Sequence, residues 1–414
     1  MVDHCVGVVA VTGGLGLALL DDRYIQDPYP LYRRMHDHGP VHRIGDSDFF
    51  AVSSWEAVTD AVARCEDFSS NLTATMMFQA PAHITAFPIA ELGSPLHALA
   101  TADDPVHAIH RRVLLPHLAA RRIGGFESFI ADTTRALWSA YARDGGIEWM
   151  GAVANRTPAM VVARMIGVPD DDAETLFRWG CSATQLLEGL VTADHIESAT
   201  AAVMELSGYI SERFQRAAAA PDGGLIGDLA RACARGDIDP TAAHVMIVTL
   251  FSAGGESTSS LIGSAAWVLA RNDARIQKRV REDPGSFGAF LEEVLRYEPP
   301  FRGHYRHVVT DTELCGVALP EGSRLLLLWG AANRDPAHFR DPDEFRLDRP
   351  TGKSHITFGK GTHFCVGAAL ARLEATIVLG ELLGRTAGIA TDDSARWQPS
   401  LLVRRLERLP LIVV

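Results

Sequence analysis

The residues with the clearest chemical potential lie in one short loop near the carboxyl end of the chain. Cys365 lies in the glycine-rich run FGKGTHFCVG, residues 358–367, directly before an alanine-rich segment with helical spacing, residues 368–383. Backbone N–H groups and the positive end of the helix dipole favour a thiolate at a helix entrance. Glycines let the backbone approach a flat partner closely. The sequence therefore predicts a metal–thiolate site at Cys365.

The surroundings of Cys365 narrow the choice of metal. No second Cys or His stands near it at the spacing of a structural zinc site, whereas a single axial thiolate suits a haem iron. The alternative interpretation is an inert cysteine buried in a glycine loop. The remaining cysteines lack the density of a disulfide scaffold and fit a reducing, cytoplasmic setting. They are Cys5, Cys65, Cys181, Cys233 and Cys315.

A second chemical candidate lies in the middle of a long predicted helix. Apolar spacing predicts a helix from Thr241 to Arg271, which would be about 45 Å long at ~1.5 Å per residue. Its centre holds Ala253, Gly254 and Gly255. Each glycine there costs up to ~1 kcal/mol relative to alanine. We interpret the paired glycines as a helix distortion with a functional purpose.

The elements that must position these residues are mostly helices. Periodicity predicts helices over residues 128–141, 161–166, 199–218, 241–271 and 367–383, and short strands over 41–44, 49–52 and parts of 306–328. The predicted fold class is mainly α with small β-sheets. We expect a loosely ordered extension over residues 1–20 and a single domain over residues 21–414.

Composition excludes several classes of protein. Hydrophobic residues make up 47% of the 414 residues, which is enough for a deep core. The formal net charge of −12 argues against nucleic-acid binding, which needs a basic footprint. The apolar stretch at residues 6–20 is shorter than the roughly 20 residues of a membrane span, and no Lys or Arg precedes it. We therefore expect no transmembrane segment and no secretory signal.

The Cys365 loop resembles the haem-binding signature of the cytochrome P-450 superfamily. Phe358, Gly361, His363, Cys365 and Gly367 all stand at signature positions. The resemblance covers nearly the whole chain, from residues 26–30 to residues 406–410, and is greatest with a mycobacterial orphan family. It implies a cytochrome P-450 fold, with the haem between the long central helix and the cysteine loop. Because an orphan family has no assigned substrate, the resemblance implies none for this chain.

A buried ion pair is also implied by the resemblance. Glu293 and Arg296 match the family's Glu-x-x-Arg element, about seventy residues before Cys365. Residues three apart on a helix more often form a solvated pair. In the family this element braces the haem side, and residues 332–336 and 342–349 match the landmarks that follow it.

The resemblance assigns the cofactor and its partners. It implies haem b, iron protoporphyrin IX, with Cys365 as the axial ligand of the iron. It places the cationic partners of the haem propionates at His107, Arg111, Arg306 and His363.

The centre of the long helix resembles the family's oxygen-binding groove. Glu256 takes the position of the catalytic acid, and Ser257 takes the position of the alcohol, which is usually threonine. Serine keeps the hydroxyl but lacks the methyl group that restrains the side chain. Because adjacent helical residues differ by about 100° around the axis, we expect Thr258 to point away from the face that carries Ser257.

The implied activity is monooxygenation of a hydrophobic organic substrate. With no flavin or nicotinamide domain in the chain, a ferredoxin and a ferredoxin reductase are the expected electron donors, and the expected state is a cytoplasmic monomer. Alternatives are desaturation or oxidative coupling by the same cofactor, and a non-catalytic haem sensor. The family positions of the substrate lining are Met76, Met77, Phe78, Leu186, Leu187, Thr249, Ala253, Phe301, Leu402 and Val403.

Overall fold

Helices form most of the described chain. The structure is a computed structural model that describes residues 14–80, 83–89, 97–185, 193–220, 224–271, 274–349, 354–392 and 394–414. The helices are α1 (Asp22–Gln26), α2 (Tyr29–His38), α3 (Trp55–Ala63), α4 (Val106–Leu114), α5 (Ala120–Gly124), α6 (Glu127–Tyr141), α7 (Arg156–Ile166), α8 (Ala173–Gln185), α9 (Ala193–Ala219), α10 (Leu225–Ala234), α11 (Pro240–Leu250), α12 (Glu256–Arg271), α13 (Ala274–Glu282), α14 (Pro284–Tyr297), α15 (Trp329–Ala332) and α16 (Ala368–Arg385).

Short strands form small sheets beside the helices. A five-stranded sheet has the order β1-β2-β10-β7-β3, a three-stranded sheet has the order β11-β14-β6, and three hairpin-like pairs are β4-β5, β8-β9 and β12-β13. The strands are β1 (Val41–Arg43), β2 (Phe49–Val52), β3 (Phe68–Ser69), β4 (Ala74–Ala80), β5 (His83–Pro88), β6 (Gly146–Glu148), β7 (Gly303–Val308), β8 (Thr312–Leu314), β9 (Val317–Leu319), β10 (Arg324–Leu328), β11 (Ile389–Thr391), β12 (Arg396–Trp397), β13 (Leu406–Arg408) and β14 (Pro410–Val413). The predicted fold class, mainly α with small sheets, is confirmed.

The long central helix contains the predicted distortion. It begins at Pro240, where the Asp239 carboxylate accepts from the N–H groups of Thr241 and Ala242. A π-helical turn over Phe251–Gly255 then separates α11 from α12. A π turn is rare and is frequent at functional sites. The prediction of a distorted helix at the glycine pair is therefore confirmed.

The two glycines of the π turn allow close helix packing. A Cβ atom on Gly254 would lie 3.2 Å from the Val162 side chain of α7, and one on Gly255 would lie 3.1 Å from the Phe177 ring of α8. Both distances are too short for an unperturbed side-chain contact. The glycines therefore bring α7 and α8 against the distorted turn and fix its position in the core.

The central helix belongs to the core of the protein. By length and composition alone the span Pro240–Arg271 could cross a membrane, but 61% of its apolar window is buried inside the protein. Leu261, Ile262 and Ala265 are fully covered by neighbouring elements. Protein packing therefore accounts for the apolar character of this helix.

The amino-terminal extension is less loose than predicted. Residues 1–13 lie outside the described part of the chain. Leu17–Leu20 forms a 3-10 turn, and Leu17, Ala18 and Leu19 pack into a buried cluster with Leu31. The prediction of a loose segment up to residue 20 is wrong for this turn, because its leucines are apolar enough to be buried.

A buried ion pair ties α14 to the long loop after α15. The Arg296 guanidinium donates to both carboxylate oxygens of Glu293 at 2.7 and 2.8 Å, and these side chains are 0% and 1% exposed. Arg296 also donates to the carbonyls of Asn333, Pro342 and Glu344. The expected buried pair is therefore present, and its hydrogen bonds hold the loop that precedes the cysteine segment.

Breaking this pair should destabilise the protein strongly. Glu293→Gln would leave the Arg296 charge buried without its counter-ion, and loss of one partner of a buried pair costs about 3–5 kcal/mol. Glu212→Gln, which breaks the exposed Glu212–Arg216 pair, should cost no more than about 1 kcal/mol. Urea unfolding measures the free energy of unfolding of both variants. Equal small losses would contradict a structural role for the buried pair.

Candidate active site

The Cys365 loop is held by backbone hydrogen bonds between α15 and α16. The Cys365 N–H donates to the Phe358 carbonyl at 2.8 Å, and residues Gly361–His363 form a 3-10 turn. Gly359 and Gly361 have φ angles of 70° and 68°, in the left-handed region that favours glycine. The glycines of the motif therefore have a structural reason, since they allow the turn that presents Cys365 at the entrance of α16.

Burial has a larger effect on the Cys365 thiol than the helix entrance has. Burial raises the pKa of this thiol, although the N–H groups of Gly367 and Ala368 and the charges of Arg111 and Arg372 act in the opposite direction. The helix entrance therefore does not by itself outweigh the effect of burial on this thiol. A bound metal cation would reverse the balance, because a coordinating thiol loses its proton.

A cavity separates the Cys365 loop from the distorted turn of the central helix. Cys365 and Val366 line one wall, and Ala253, Ser257 and Thr258 line another. A flat cofactor held at such a site would contact the thiol on one face and the helix on the other.

Four cationic or titratable side chains gather at the rim of this cavity. His107, Arg111, Arg306 and His363 all line it. The rings of His107 and His363 stack at 4.0 Å with an interplanar angle of 23°. Burial, together with His107 and Arg306, lowers the pKa of His363 to about 4. The structure thus brings together three distant segments of the sequence: α4 with His107 and Arg111, β7 with Arg306, and the cysteine loop with His363.

The two arginines of the rim form no ion pair with a carboxylate among the described residues, whereas His107 Nδ1 lies 3.3 Å from Asp104. Arg306 is 9% exposed and donates to the Tyr305 carbonyl, but neither it nor Arg111 forms an ion pair with a described carboxylate. A buried cation is stable only when it is paired. The residues present therefore fit a cofactor that carries carboxylates at one edge and a metal ion at its centre, as haem does.

The predicted acid and alcohol residues occupy different environments. Ser257 is half-buried at the cavity wall, and its hydroxyl donates to the Ala253 carbonyl at 2.5 Å, across the π turn. Glu256 is 1% exposed and is absent from the cavity lining. It forms an ion pair with Arg405 at 3.3 Å and interacts with the Thr184 and Cys181 side chains.

Burial raises the pKa of Glu256, although Arg405 opposes the shift. The carboxyl group therefore holds a proton more readily than a solvated glutamate does. Arg405 is a functional neighbour that sequence reasoning missed. It lies 149 positions away along the chain, and no local pattern links it to the central helix.

Thr258 was expected to point away from the helix face that carries Ser257. Thr258 is 4% exposed but lines the same cavity as Ser257. The expectation assumed that only one of two neighbouring side chains can face a given cavity. The cavity extends far enough around α12 to contact both residues.

Three of the residues predicted to line the substrate site border the cavity, and four of the described ones do not. Thr249, Ala253 and Phe301 line the cavity. Leu186, Leu187 and the side chain of Phe78 lie outside the described part of the protein. Met76, Met77, Leu402 and Val403 are absent from the described lining.

Backbone pairing explains the residues that do not reach the cavity. Residues 74–80 form strand β4 of a hairpin rather than a loop, so Met76 alternates into the core and Met77 pairs with Thr85. Val403 pairs with Phe301 in an isolated β-bridge, and the Leu402 carbonyl accepts from the Arg302 N–H. Leu402 and Val403 therefore hold the Phe301 segment in place through backbone pairing.

The lining residues that the sequence analysis missed include three with polar groups. His304 and Trp329 lie at the rim, and Glu374 lies on α16 nine positions after Cys365. Burial raises the pKa of Glu374 well above its usual range. Only the alternation of β7 could have indicated His304, because it places residues 304 and 306 on one face.

Comparison with known proteins identifies the family. The family described as Cytochrome P450 matches residues 287–386. Cytochrome P450 144 of Mycobacterium tuberculosis (strain CDC 1551 / Oshkosh) is 60% identical over 94% of this chain and 89% of its own length. The chain belongs to the cytochrome P450 family. The resemblance to a mycobacterial family, predicted from sequence, is confirmed.

Solved cytochrome P450 structures share the fold. Ligand-free CYP164A2 of Mycobacterium smegmatis superposes with a TM-score of 0.86 and 28% identity, covering 97% of this chain and all of that one. CYP109E1 of Bacillus megaterium, solved in complex with testosterone, superposes with a TM-score of 0.82 and 26% identity, covering 94% of this chain and 99% of that one. This protein is therefore a cytochrome P450 monooxygenase, and the family implies a haem cofactor.

Removal of the Cys365 sulfur should abolish thiolate ligation in this P450. Cys365→Ser should lose the red-shifted Soret band that a thiolate ligand gives the reduced, carbon-monoxide-bound haem, because an alcohol is a poor substitute for a thiolate. Cys315→Ser is the matched control, since Cys315 is exposed, and it should keep that band. Retention of the band in Cys365→Ser would contradict the assignment of the ligand.

Proposed function

We propose that this P450 inserts one oxygen atom of dioxygen into a hydrophobic organic substrate, using haem b and electrons from separate proteins. Dioxygen, two electrons and two protons would convert a C–H bond to C–OH and release one water molecule. One observation carries the proposal: the Cys365 thiol and the Ser257 hydroxyl line the same cavity, whose rim holds Arg111 and Arg306 without a carboxylate partner among the described residues.

The rim residues would orient the cofactor. Haem supplies the activation of dioxygen, which an axial thiolate favours. His107, Arg111, Arg306 and His363 would bind its two carboxylates, and Cys365 would bind its iron from the side of α16. Charge-assisted bonds of this kind are short and strong, so these residues would fix the plane of the cofactor between the cysteine loop and α12.

Glu256 and Ser257 would control the delivery of protons. Glu256 lies behind the cavity wall, so a proton from its carboxyl group must pass through a hydroxyl group or a water molecule to enter the cavity. Ser257 provides such a hydroxyl at the wall, anchored on the Ala253 carbonyl. A positioned acid that donates through one intermediate is a recognised arrangement for general acid catalysis.

An apolar substrate is supported by the composition of the cavity wall. Leu99, Val162, Met165, Leu250 and Phe301 all line it. The CYP109E1 relative was solved with testosterone, which is a largely apolar molecule. A mostly apolar pocket with few polar groups binds hydrophobic ligands and uses the polar groups to orient them.

Desaturation and oxidative coupling are the second candidates, because they use the same cofactor and the same cavity. A non-catalytic haem sensor is disfavoured, since it has no need of the buried Glu256 beside Ser257.

We further propose that the enzyme works in the cytoplasm as a monomer and that residues 21–414 form one catalytic domain.

A ferredoxin and its reductase are the proposed electron donors. Four basic residues in or near the cysteine loop are candidates for a docking face: Arg111, Arg112, Lys360 and Arg372. Arg372 instead forms a bidentate pair with Glu292 at 2.6 and 2.9 Å, and Arg111 lines the cavity and donates to the Phe364 carbonyl. Arg112 and Lys360 are exposed and would form the remaining basic face beside the cysteine loop.

Loss of the Ser257 hydroxyl should uncouple electron use from product formation. Ser257→Ala should keep haem binding but yield severalfold less product per reduced nicotinamide consumed and more hydrogen peroxide. Ser257→Thr should retain coupling, because it keeps the hydroxyl group. Thr258→Val should change coupling less, since Thr258 is almost fully covered. Parent-like coupling in Ser257→Ala would contradict the proposed role.

Charge reversal on the basic face should slow reduction by an acidic ferredoxin. Arg112→Glu with Lys360→Glu should lower the reduction rate at low salt, and the difference should shrink as salt rises, because the Debye length is only ~8 Å at physiological ionic strength. Arg178→Glu, an exposed change on α8, is the control. Stopped-flow reduction measures the rates, and a rate independent of these charges and of salt would exclude this docking face.

A further inference from the structure

His304 lies on the same face of a strand as Arg306. In β7 it pairs with Leu327 of β10, and Arg306 pairs with Leu325. Because side chains alternate along a strand, residues 304 and 306 project toward the cavity, and both line it. Tyr305 projects to the opposite side, where its ring lies 6.1 Å from that of Phe49.

A tryptophan fixes the protonation of the His304 ring. The indole Nε1 of Trp329 donates to His304 Nδ1 at 2.7 Å. An indole can only donate, so Nδ1 must offer a lone pair and the hydrogen of the neutral ring must reside on Nε2. Trp329 is 3% exposed and belongs to α15, which keeps the pair in place.

The electrostatic surroundings agree with a neutral ring. Burial, with the charge of Arg306 and the neighbouring His363, lowers the pKa of His304 to about 4. Above that value the ring is uncharged and Nε2–H is a donor. Among the described residues no group accepts a hydrogen bond from it. Because His304 lines the cavity, its Nε2–H is available to donate to an acceptor bound there.

We propose that His304 Nε2–H donates a hydrogen bond to a haem propionate, as a neutral partner beside the cationic rim residues. The inference rests on the haem site proposed above. Arg306 and His363, the residues that act electrostatically on His304, belong to that same rim. Two carboxylates offer about eight lone-pair sites, so the four rim residues leave acceptor positions for a fifth donor.

The test compares haem retention in matched variants. His304→Phe removes the donor but keeps an aromatic ring, whereas His304→Gln keeps both an acceptor and a donor. His307→Phe, on the same strand but outside the described cavity lining, is the control. Each haem-loaded protein is mixed with excess apomyoglobin, and the rate of haem transfer is followed by absorbance. The midpoint reduction potential is measured in parallel.

His304→Phe should release haem about tenfold to a hundredfold faster, the ratio expected when a hydrogen bond to a charged acceptor is lost. Its midpoint potential should become more negative, because the propionate charge is less well stabilised. His304→Gln and His307→Phe should stay close to the parent. The double variant His304→Phe/Trp329→Phe removes the orphaned indole donor as well, and it should still lose haem quickly.

Several outcomes would overturn the inference. Parent-like haem release and potential in both His304→Phe and the double variant would show that no propionate bond exists. If those values are unchanged but spectral titration with dodecanoic acid weakens, His304 binds the polar end of a substrate instead. Failure of the parent protein to bind haem would refute the proposed function itself, which is a separate result.

Discussion

The position of a single thiol inside the protein is the constraint on which the rest of the structure depends. A thiolate is unfavourable in an apolar interior, and burial raises the pKa of Cys365 accordingly. Only a cation close to the sulfur makes the ionised form stable there. The glycine loop, the entrance of α16 and the rim of cationic side chains together form a site in which the iron and the two carboxylates of the proposed haem would complete the charge balance.

The buried polar network behind the loop explains how the thiol keeps its position. Glu293 accepts from Arg296, from the Arg349 guanidinium and from the Arg346 N–H. The Asn333 side chain continues this network by accepting from the Ile356 N–H and donating to the Thr357 hydroxyl. Residue 356 begins the turn that leads to Cys365. The network thus connects α14 to the ligand loop through bonds shielded from water.

Sequence predicted the parts of the site that depend on local pattern. The cysteine loop, the glycine pair of the central helix and the Glu293–Arg296 spacing are short motifs with a direct physical meaning, and each has a clear structural counterpart. The ion pair of Glu256 with Arg405 and the hydrogen bond from Trp329 to His304 join distant segments. No spacing rule contains such tertiary contacts, so they became visible only in the folded chain.

The errors in the sequence analysis have a common physical origin. Met76 and Leu402 are apolar and were placed at the cavity, but strand pairing and core packing use the same apolar side chains. Leu17 and Leu19 were placed in a loose extension, and they are buried for the same reason. Hydrophobicity indicates that a residue is buried. It does not indicate whether a neighbouring side chain or a ligand covers that residue.

X-ray absorption at the iron edge of the haem-loaded protein tests the central claim most directly, because it reports the atoms bound to the metal. The account predicts one sulfur in the first shell of the ferric protein, together with the four porphyrin nitrogens, and loss of that sulfur in Cys365→Ser. A first shell of nitrogen and oxygen alone in the parent protein would contradict it, as would a sulfur that persists in Cys365→Ser.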